Sequence, residues 1–451
     1  MAAFPLRVAI IGSGPAGFYS ADALLKNKAV PVTVDMFERL PVPFGLVRFG
    51  VAPDHQSIKR VQAAFERTAQ LSGFRFFGNV RVGADLAVAE LRRRYHAVLI
   101  AVGAPTDKHL GVAGEELAGS YAATSFVGWY NGHPDFLGHD FDLTSERAVV
   151  VGMGNVALDV ARMLVRRPDE LATTDIAGYA LEALRSSRIR EVVLLGRRGP
   201  AQAAFDQGEL QDIAELNDVQ VCVEGELPPE DASKLESPAR KNLEYVMALA
   251  KEPPKNVERR VKLRFLTSPA ELIGEAGRVR GVKVERNALV TQPDGSVAAR
   301  GSGEFEVLPS GLVMRSIGYR GVELSGVPFD ARSGTIPNQG GRVTENRGGE
   351  TVPGLYTVGW IKRGPTGLIG TNKACAKETV DVILEDAENL TRPELEAADI
   401  AAELEAKGTR VVTFQDWRRL DQLEQEAGKA TGKVREKYVR IEEMLAALAT
   451  R

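Results

Sequence analysis

Residues 6–17 read L-R-V-A-I-I-G-S-G-P-A-G, and residues 18–38 continue F-Y-S-A-D-A-L-L-K-N-K-A-V-P-V-T-V-D-M-F-E. The apolar run Leu6–Ile11 meets G-x-G-x-x-G, and apolar residues at helical spacing follow. A second strand-like run, residues 30–37, closes on Glu38. Strand, glycine turn, helix, strand and acid together form a dinucleotide-binding pattern in the context that makes it specific. Gly12 allows the tight turn, Gly14 lets a pyrophosphate approach the backbone, and Gly17 lets helix pack on strand. Ser13, Pro15 and Ala16 complete the turn, and the free N–H groups of the helix start face the phosphates. Glu38 is placed to accept hydrogen bonds from a ribose. The plainer alternative is a glycine-rich turn with no ligand, which the flanking elements and the acid oppose.

A second such unit begins near Arg147. The strand-like residues 148–151, A-V-V-V, precede G-M-G-N-V-A at residues 152–157, with helical spacing beyond. Ala157 stands at the third glycine position, an accepted variant. The next strand-like run, Glu191–Leu195, ends in G-R-R, so Arg197 and Arg198 stand where an NAD site offers a carboxylate. The planar fork of arginine suits a phosphate, which points to NADP(H) at this second site; a merely solvated arginine pair is the alternative. Two fingerprints, one closing on Glu and one on Arg, imply two different dinucleotides. FAD in the first and NADPH in the second is the economical assignment.

Composition agrees with two soluble domains. The chain has 451 residues, of which 45 are glycine, against about 7% in average proteins. Lysine and arginine number 57 against 60 acids, a net charge of −3, so nucleic acid is not an expected partner. Cys222 and Cys375 are the only cysteines and form no C-x-x-C pair. That excludes a disulfide scaffold, a four-cysteine zinc site and a self-contained iron–sulfur cluster, and no metal site is expected. No apolar run approaches the length of a membrane span, so membrane insertion is not expected. With the first strand expected at Leu6, no room is left for a targeting peptide, and a reduced, cytoplasmic setting is expected.

Further strand–glycine junctions are expected at residues 97–103 and 354–359. Residues 364–373, G-P-T-G-L-I-G-T-N-K, lack the order of a P-loop. They lead into a helix expected near residues 372–388, whose N-terminus could stabilise negative charge on a reduced flavin. Residues 279–292 and 296–307 flank P-D-G and predict a hairpin. Residues 225–237 and 330–350 read as loops. From Leu390 onward the chain is polar and helix-favouring, without a motif.

The chain resembles the adrenodoxin-reductase type of NADPH–ferredoxin reductase across at least residues 4–388. The resemblance is carried by G-S-G-P-A-G at Gly12, P-V-P-F-G-L-V-R-F-G-V-A-P-D-H at residues 41–55 and N-G-H-P at residues 131–134. It is carried further by G-M-G-N-V-A-L-D-V-A-R at residues 152–162, G-R-R-G-P at residues 196–200 and G-W-I-K-R-G-P-T-G-L-I-G-T-N-K at residues 359–373. It implies an α/β fold of two Rossmann-like domains, with the NADP domain (residues 106–322) inserted into an FAD domain (residues 1–105 and 323–451). Implied flavin contacts are Ala16, Glu38, Leu46, Val82, Trp360 and the backbone of Gly367, Leu368 and Ile369. Trp360 stands where many related flavoproteins place Asp. Implied NADP contacts are Gly154, Asn155, Val156, Ala157, Arg197, Arg198, Glu209 and Gly367. Lys108, where the resemblance suggests an arginine, joins them.

The implied activity is transfer of hydride from NADPH to FAD, then of single electrons to a ferredoxin-type iron–sulfur protein. His55, with Asp159 and Asp212, resembles the family's suggested proton-relay or domain-contact group; a histidine that holds a loop is the alternative. Arginines 185, 188, 190, 197 and 198, and the basic residues between Lys251 and Arg264, would suit an acidic ferredoxin, or are simply solvated. An NADPH-dependent flavin monooxygenase would show coupled oxygen uptake. A non-catalytic FAD/NADPH redox sensor would leave its flavin unbleached by NADPH. A thioredoxin-reductase-like enzyme is opposed by the missing C-x-x-C, and a glutamate-synthase-like input subunit by the missing cysteine-rich module. The arginine pair predicts that NADPH bleaches the bound flavin in preference to NADH under anaerobic titration; a preference for NADH contradicts it.

Overall fold

The computed structural model describes residues 5–228, 232–397 and 400–449. The chain divides into two compact units: Met1–Thr106 with Asn131–Pro134 and Tyr319–Arg451, and Asp107–Tyr130 with Asp135–Gly318. The second unit is therefore inserted in sequence into the first.

In the first unit a seven-stranded sheet runs Asn338–Gln339, Arg342–Thr344, Thr351–Thr357, Ala97–Ile100, Leu6–Ile11, Val32–Phe37, Phe74–Phe77. The last five strands in that order are parallel to one another, with Val8 opposite Val34 on one side and Ala97 on the other, and the first two strands pair antiparallel. Their near-continuous apolar sequences follow from burial on both faces. Val8, Ile10, Val34, Met36 and Leu99 enter one hydrophobic cluster. Ala9, Ile11, Phe37, Val98 and Ile100, the residues of opposite parity, enter another. The helix Pro15–Lys26 contributes Phe18, Ala21 and Leu24 to the first cluster, and the tail contributes Trp417, Leu420, Met444 and Leu448.

The second unit holds a six-stranded parallel sheet in the order Ser120–Ala122, Leu312–Arg315, Arg147–Val151, Glu191–Leu195, Arg259–Arg264, Val219–Glu224. A three-stranded antiparallel sheet, Thr267–Glu275, Arg278–Thr291 and Val297–Pro309, packs Leu272, Val282 and Val284 against Val149, Val193 and Val313. Both units are α/β, as expected.

Several expectations change in detail. The predicted hairpin is present but has a third strand, Thr267–Glu275, which Pro269 and Glu271 disguise. Residues 330–350, expected as loop, contain Asn338–Gln339 and Arg342–Thr344 at the sheet edge. The loop expected over residues 225–237 includes 229–231, which lie outside the described residues. The motif-free tail forms helices Ile400–Ala406, Phe414–Thr431 and Ile441–Ala449.

Asn131–Pro134 belongs to the first unit, not to the 106–322 stretch. The Asn131 carbonyl accepts a hydrogen bond from Lys437 Nζ at 3.1 Å, and the His133 ring lies 4.7 Å from Phe49. Tyr319 belongs there too, with its ring 5.2 Å from Trp360.

A Cβ on Gly17 would lie 2.2 Å from the Gly12 carbonyl oxygen. Gly17→Ala is expected to lower unfolding stability by roughly 2–4 kcal/mol, read from chemical denaturation. Gly208 lies in helix Gln207–Ala214 and a Cβ there meets nothing within 4 Å; Gly208→Ala is expected to add about 0.5–1 kcal/mol in the same measurement.

Candidate functional site

In the first unit, Gly12 has φ +105°, and a Cβ on it would stand 2.6 Å from the Ala101 carbonyl oxygen. Its N–H donates to the Phe37 carbonyl at 2.8 Å, which ties the turn to the second strand. Around Gly14 a Cβ would meet nothing within 4 Å. One glycine is forced by the protein's own backbone, and the other opens onto free space, as close approach of a pyrophosphate requires. This cradle fits a dinucleotide.

Glu38, at the end of the second strand, is held from both sides. Ser13 N–H and Oγ donate to its Oε2 at 3.1 and 2.6 Å, and Leu40 N–H donates to its Oε1 at 3.2 Å. Two carboxylate oxygens offer about four lone-pair directions, so the fixed carboxylate keeps acceptor capacity for a ribose. Strand Val32–Phe37 is itself anchored through Asp35, which receives both Arg75 (Nε at 2.7 Å, Nη2 at 2.5 Å) and the Tyr95 hydroxyl at 2.5 Å. Burial, and then the Asp35 carboxylate, push the Tyr95 phenol far above its ordinary range, so it stays a donor.

The stretch that follows crosses the glycine turn. Phe44 N–H donates to the Ser13 carbonyl at 3.1 Å, and a Cβ on Gly45 would lie 3.0 Å from Gly14 Cα. Phe44 and Gly45 have φ of +83° and +47°. Half-buried Leu46 then opens the short helix Leu46–Phe49. Val82 is buried in the second hydrophobic cluster beside Val80 and Leu86.

Gly359 has φ +76°, and a Cβ on it would be 2.7 Å from Ala16 Cβ. This packs the 359–373 segment on the start of helix Pro15–Lys26. Gly359 N–H donates to Cys375 Sγ at 3.3 Å. Half-buried Trp360 donates its Nε1–H to the Thr366 carbonyl at 3.2 Å. Gly367 is exposed, Leu368 is 59% exposed, and Ile369 packs against the core. The helix Thr371–Asp386 follows directly. His55 is half-buried in this unit and precedes the short helix Gln56–Lys59, and its carbonyl accepts from Ile58 N–H at 3.1 Å.

The second unit repeats the device. Gly152 has φ +138°, and a Cβ would lie 2.1 Å from the Ser316 carbonyl oxygen, while around Gly154 nothing lies within 4 Å. Ala157 is fully buried, and Val156 is half-buried in the first turn of helix Asn155–Val165. Asn155 pairs twice with Asp206: its Nδ2 donates to Oδ2 at 2.8 Å, and its Oδ1 accepts from Asp206 N–H at 2.7 Å. Arg197 is exposed, and its guanidinium makes no hydrogen bond or ion pair among the described residues. Its carbonyl accepts from Asn287 Nδ2 at 2.9 Å, so the backbone is fixed while the guanidinium is exposed. Arg198 is half-buried, with Nη1 at 3.3 Å from the Val297 carbonyl. Lys108 is exposed, with its backbone N–H bonded to the Gly318 carbonyl at 3.0 Å.

Asp159 and Glu209 are brought together by a residue that sequence reasoning passed over. Arg162, 1% exposed, reaches Asp159 Oδ1 at 2.6 Å and Glu209 Oε2 at 3.4 Å. The Asp159–Arg162 spacing of three on a helix was the available signal. Asp212 is exposed on helix Gln207–Ala214. His55 thus lies in the first unit and the two aspartates in the second.

Most of the basic residues expected to form a docking face are already paired. Arg185 meets Glu182, Arg190 meets Glu258 at 2.7 Å, Arg259 meets Asp218 at 2.6 Å and Lys262 meets Glu191 at 2.8 Å. Arg188 stands 3.9 Å from Glu146, Lys255 pairs with Glu252 at 3.5 Å, and Arg264 pairs with Glu306. Lys251 and Arg260 are exposed without such partners among the described residues.

Residues 6–191 match the pyridine nucleotide-disulphide oxidoreductase family. The chain is 47% identical to NADPH-ferredoxin reductase FprA of Mycobacterium tuberculosis, over 98% of both chains. It is 43% identical to the mitochondrial NADPH:adrenodoxin oxidoreductase of Arabidopsis thaliana, over 99% of this chain and 96% of that one. The solved structure of Mycobacterium tuberculosis FprA in complex with NADPH superposes with a TM-score of 0.94 at 46% identity, covering 99% of this chain and all of that one. With the two glycine cradles, their acid and arginine, and likeness over its whole length, the chain belongs to the adrenodoxin-reductase type of NADPH–ferredoxin reductases.

Proposed function

We propose that this chain is a flavoprotein oxidoreductase in which bound FAD takes hydride from NADPH and yields single electrons to a ferredoxin-type iron–sulfur protein. The observation that carries this is the pair of cradles, one closing on a fixed carboxylate and the other on a free guanidinium. The cofactors supply the redox chemistry, and the protein's task is placement.

Gly12, Ser13, Gly14, Pro15, Ala16 and Gly17 hold the flavin pyrophosphate, with Glu38 on the ribose. Leu46, Val82 and Trp360, with the Gly367, Leu368 and Ile369 backbone, enclose the rest of the flavin. Exposed Leu368 is an apolar side chain that such a ligand would cover. Gly154, Asn155, Val156 and Ala157 hold the nicotinamide nucleotide's pyrophosphate, Arg197 and Arg198 hold its 2′-phosphate, and Lys108 is a further contact to the nucleotide. Glu209, oriented by Arg162, and Gly367 complete that set. His55, Asp159 and Asp212 are assigned to proton handling.

The ferredoxin we assign as partner is acidic, and the exposed cations left without a carboxylate are the ones to meet it. The setting we assign is the cytoplasm. Cys222 and Cys375 are both free thiols, and no described helix is long and apolar enough to cross a membrane.

Anaerobic NADPH titration should bleach the flavin, and added ferredoxin should restore its colour; a flavin that NADPH leaves oxidised overturns the proposal. Arg197→Ala combined with Arg198→Ala should raise the KM for NADPH about 10–100-fold, the loss of charged hydrogen bonds, with little change for NADH. His55→Ala with wild-type turnover would reduce His55 to holding its loop. Added salt should suppress reduction of ferredoxin steeply while sparing a neutral dye; equal sensitivity removes the acidic partner.

A further inference from the structure

The tail beyond residue 390 carries no motif, yet it supplies half of a deeply buried ion pair. Arg48 and Glu424, 2% and 0% exposed, are joined by Nη1 to Oε2 at 2.9 Å and Nη2 to Oε1 at 2.6 Å. Glu424 also accepts from Arg435 Nη1 at 3.2 Å and from Tyr438 N–H at 3.0 Å. Lys437, itself buried, donates from Nζ to the Arg48 carbonyl at 3.4 Å and to the Asn131 carbonyl at 3.1 Å. The Arg48 guanidinium carbon stands 5.2 Å from the ring centres of both Phe49 and Trp417.

Stability alone does not account for this cluster. Well-packed apolar side chains commonly match or exceed a buried ion pair. Here Arg48 Nε, Trp417 Nε1 and both polar atoms of the Asn131 amide are buried without a hydrogen-bond partner among the described residues. Native cores rarely leave such atoms unmet. What a two-pronged arginine–carboxylate contact supplies is orientation. Arg48 sits three residues after Gly45 and four after Phe44, the two positive-φ residues that lie on Ser13 and Gly14. Backbone held in such sparsely populated regions persists only when its surroundings over-determine it.

We propose that Glu424, acting through Arg48, is a positioning residue for the flavin, holding residues 44–49 against the glycine turn from the far end of the chain. The proposal rests on the flavin site described above. It makes the 414–438 segment part of that site although none of its residues is assigned a contact with the cofactor.

The test compares full-length wild type with Glu424→Gln and Glu424→Asp. The FAD dissociation constant is read from the fluorescence of flavin released on dilution. Flavin absorbance band shape, NADP+ affinity and unfolding of the FAD-stripped protein are read alongside. Glu424→Gln should raise the FAD dissociation constant about tenfold or more and alter the bound band, because it leaves Arg48 buried without its counter-charge. Glu424→Asp, which keeps the charge, should recover part of the loss, and NADP+ affinity should stay at the wild-type value. A wild-type FAD constant and band in folded Glu424→Gln overturns the proposal, as does a matching loss of NADP+ affinity. Should Glu424→Gln not fold, Glu424→Asp decides, and a wild-type constant there overturns it. A wild-type protein that binds no FAD would overturn the flavin reading itself, an outcome distinct from any result with the variants.

Discussion

A turn that leads from a buried strand into a helix folded back over it leaves little volume for side chains, both within the turn and where helix and strand cross. That steric limit sets both units. A Cβ on Gly17 would overlap the Gly12 carbonyl, one on Gly12 the Ala101 carbonyl, and one on Gly152 the Ser316 carbonyl. Once the turn is this tight, the helix start must face the ends of the strands and the next strand must finish beside it. The two units then differ in what that strand end carries. Glu38 is held rigid by Ser13 and Leu40, whereas Arg197 is fixed only through its backbone. The same backbone solution thus presents an immobile acceptor in one unit and an unengaged cation in the other.

Charge behaves locally in the same way. A net charge of −3 over 451 residues says little about any one surface. Arginines and lysines that look concentrated in sequence are mostly balanced in space by carboxylates brought from elsewhere, such as Asp218 for Arg259 and Glu258 for Arg190. What distinguishes Arg197, Lys251 and Arg260 is their lack of such a partner among the described residues, and sequence spacing does not reveal that.

How much was legible in the residues follows from the range of the forces involved. Leu6–Ile11 and Glu191–Leu195 were readable to the residue because strands covered on both faces are apolar without interruption. The glycines, Glu38 and the Asp159–Arg162 spacing are local and could be read as well. Asn155 with Asp206, Phe44 with Ser13 and Arg162 with Glu209 join residues tens of positions apart, and nothing nearby in sequence marks them. The third strand of the small sheet was hidden by its own polar and proline content. The tail was the least legible part. Its helices bury charge as well as apolar area, so their composition looks like that of a solvated surface.

The division of the chain also orders events in time. The sheet of the first unit draws strands from residues 6–100 and again from 338–357, and its hydrophobic cluster is closed by Met444 and Leu448. The second unit is complete at Gly318. On a ribosome emitting the chain from its N-terminus, the unit that starts later can therefore finish first. Domains generally fold as units during synthesis, so the opening hundred residues must wait, with four strands made and three of the sheet's strands missing, until the last helices emerge. Arg48 is among those waiting residues, a cation whose buried counter-ion, Glu424, is translated 376 residues later.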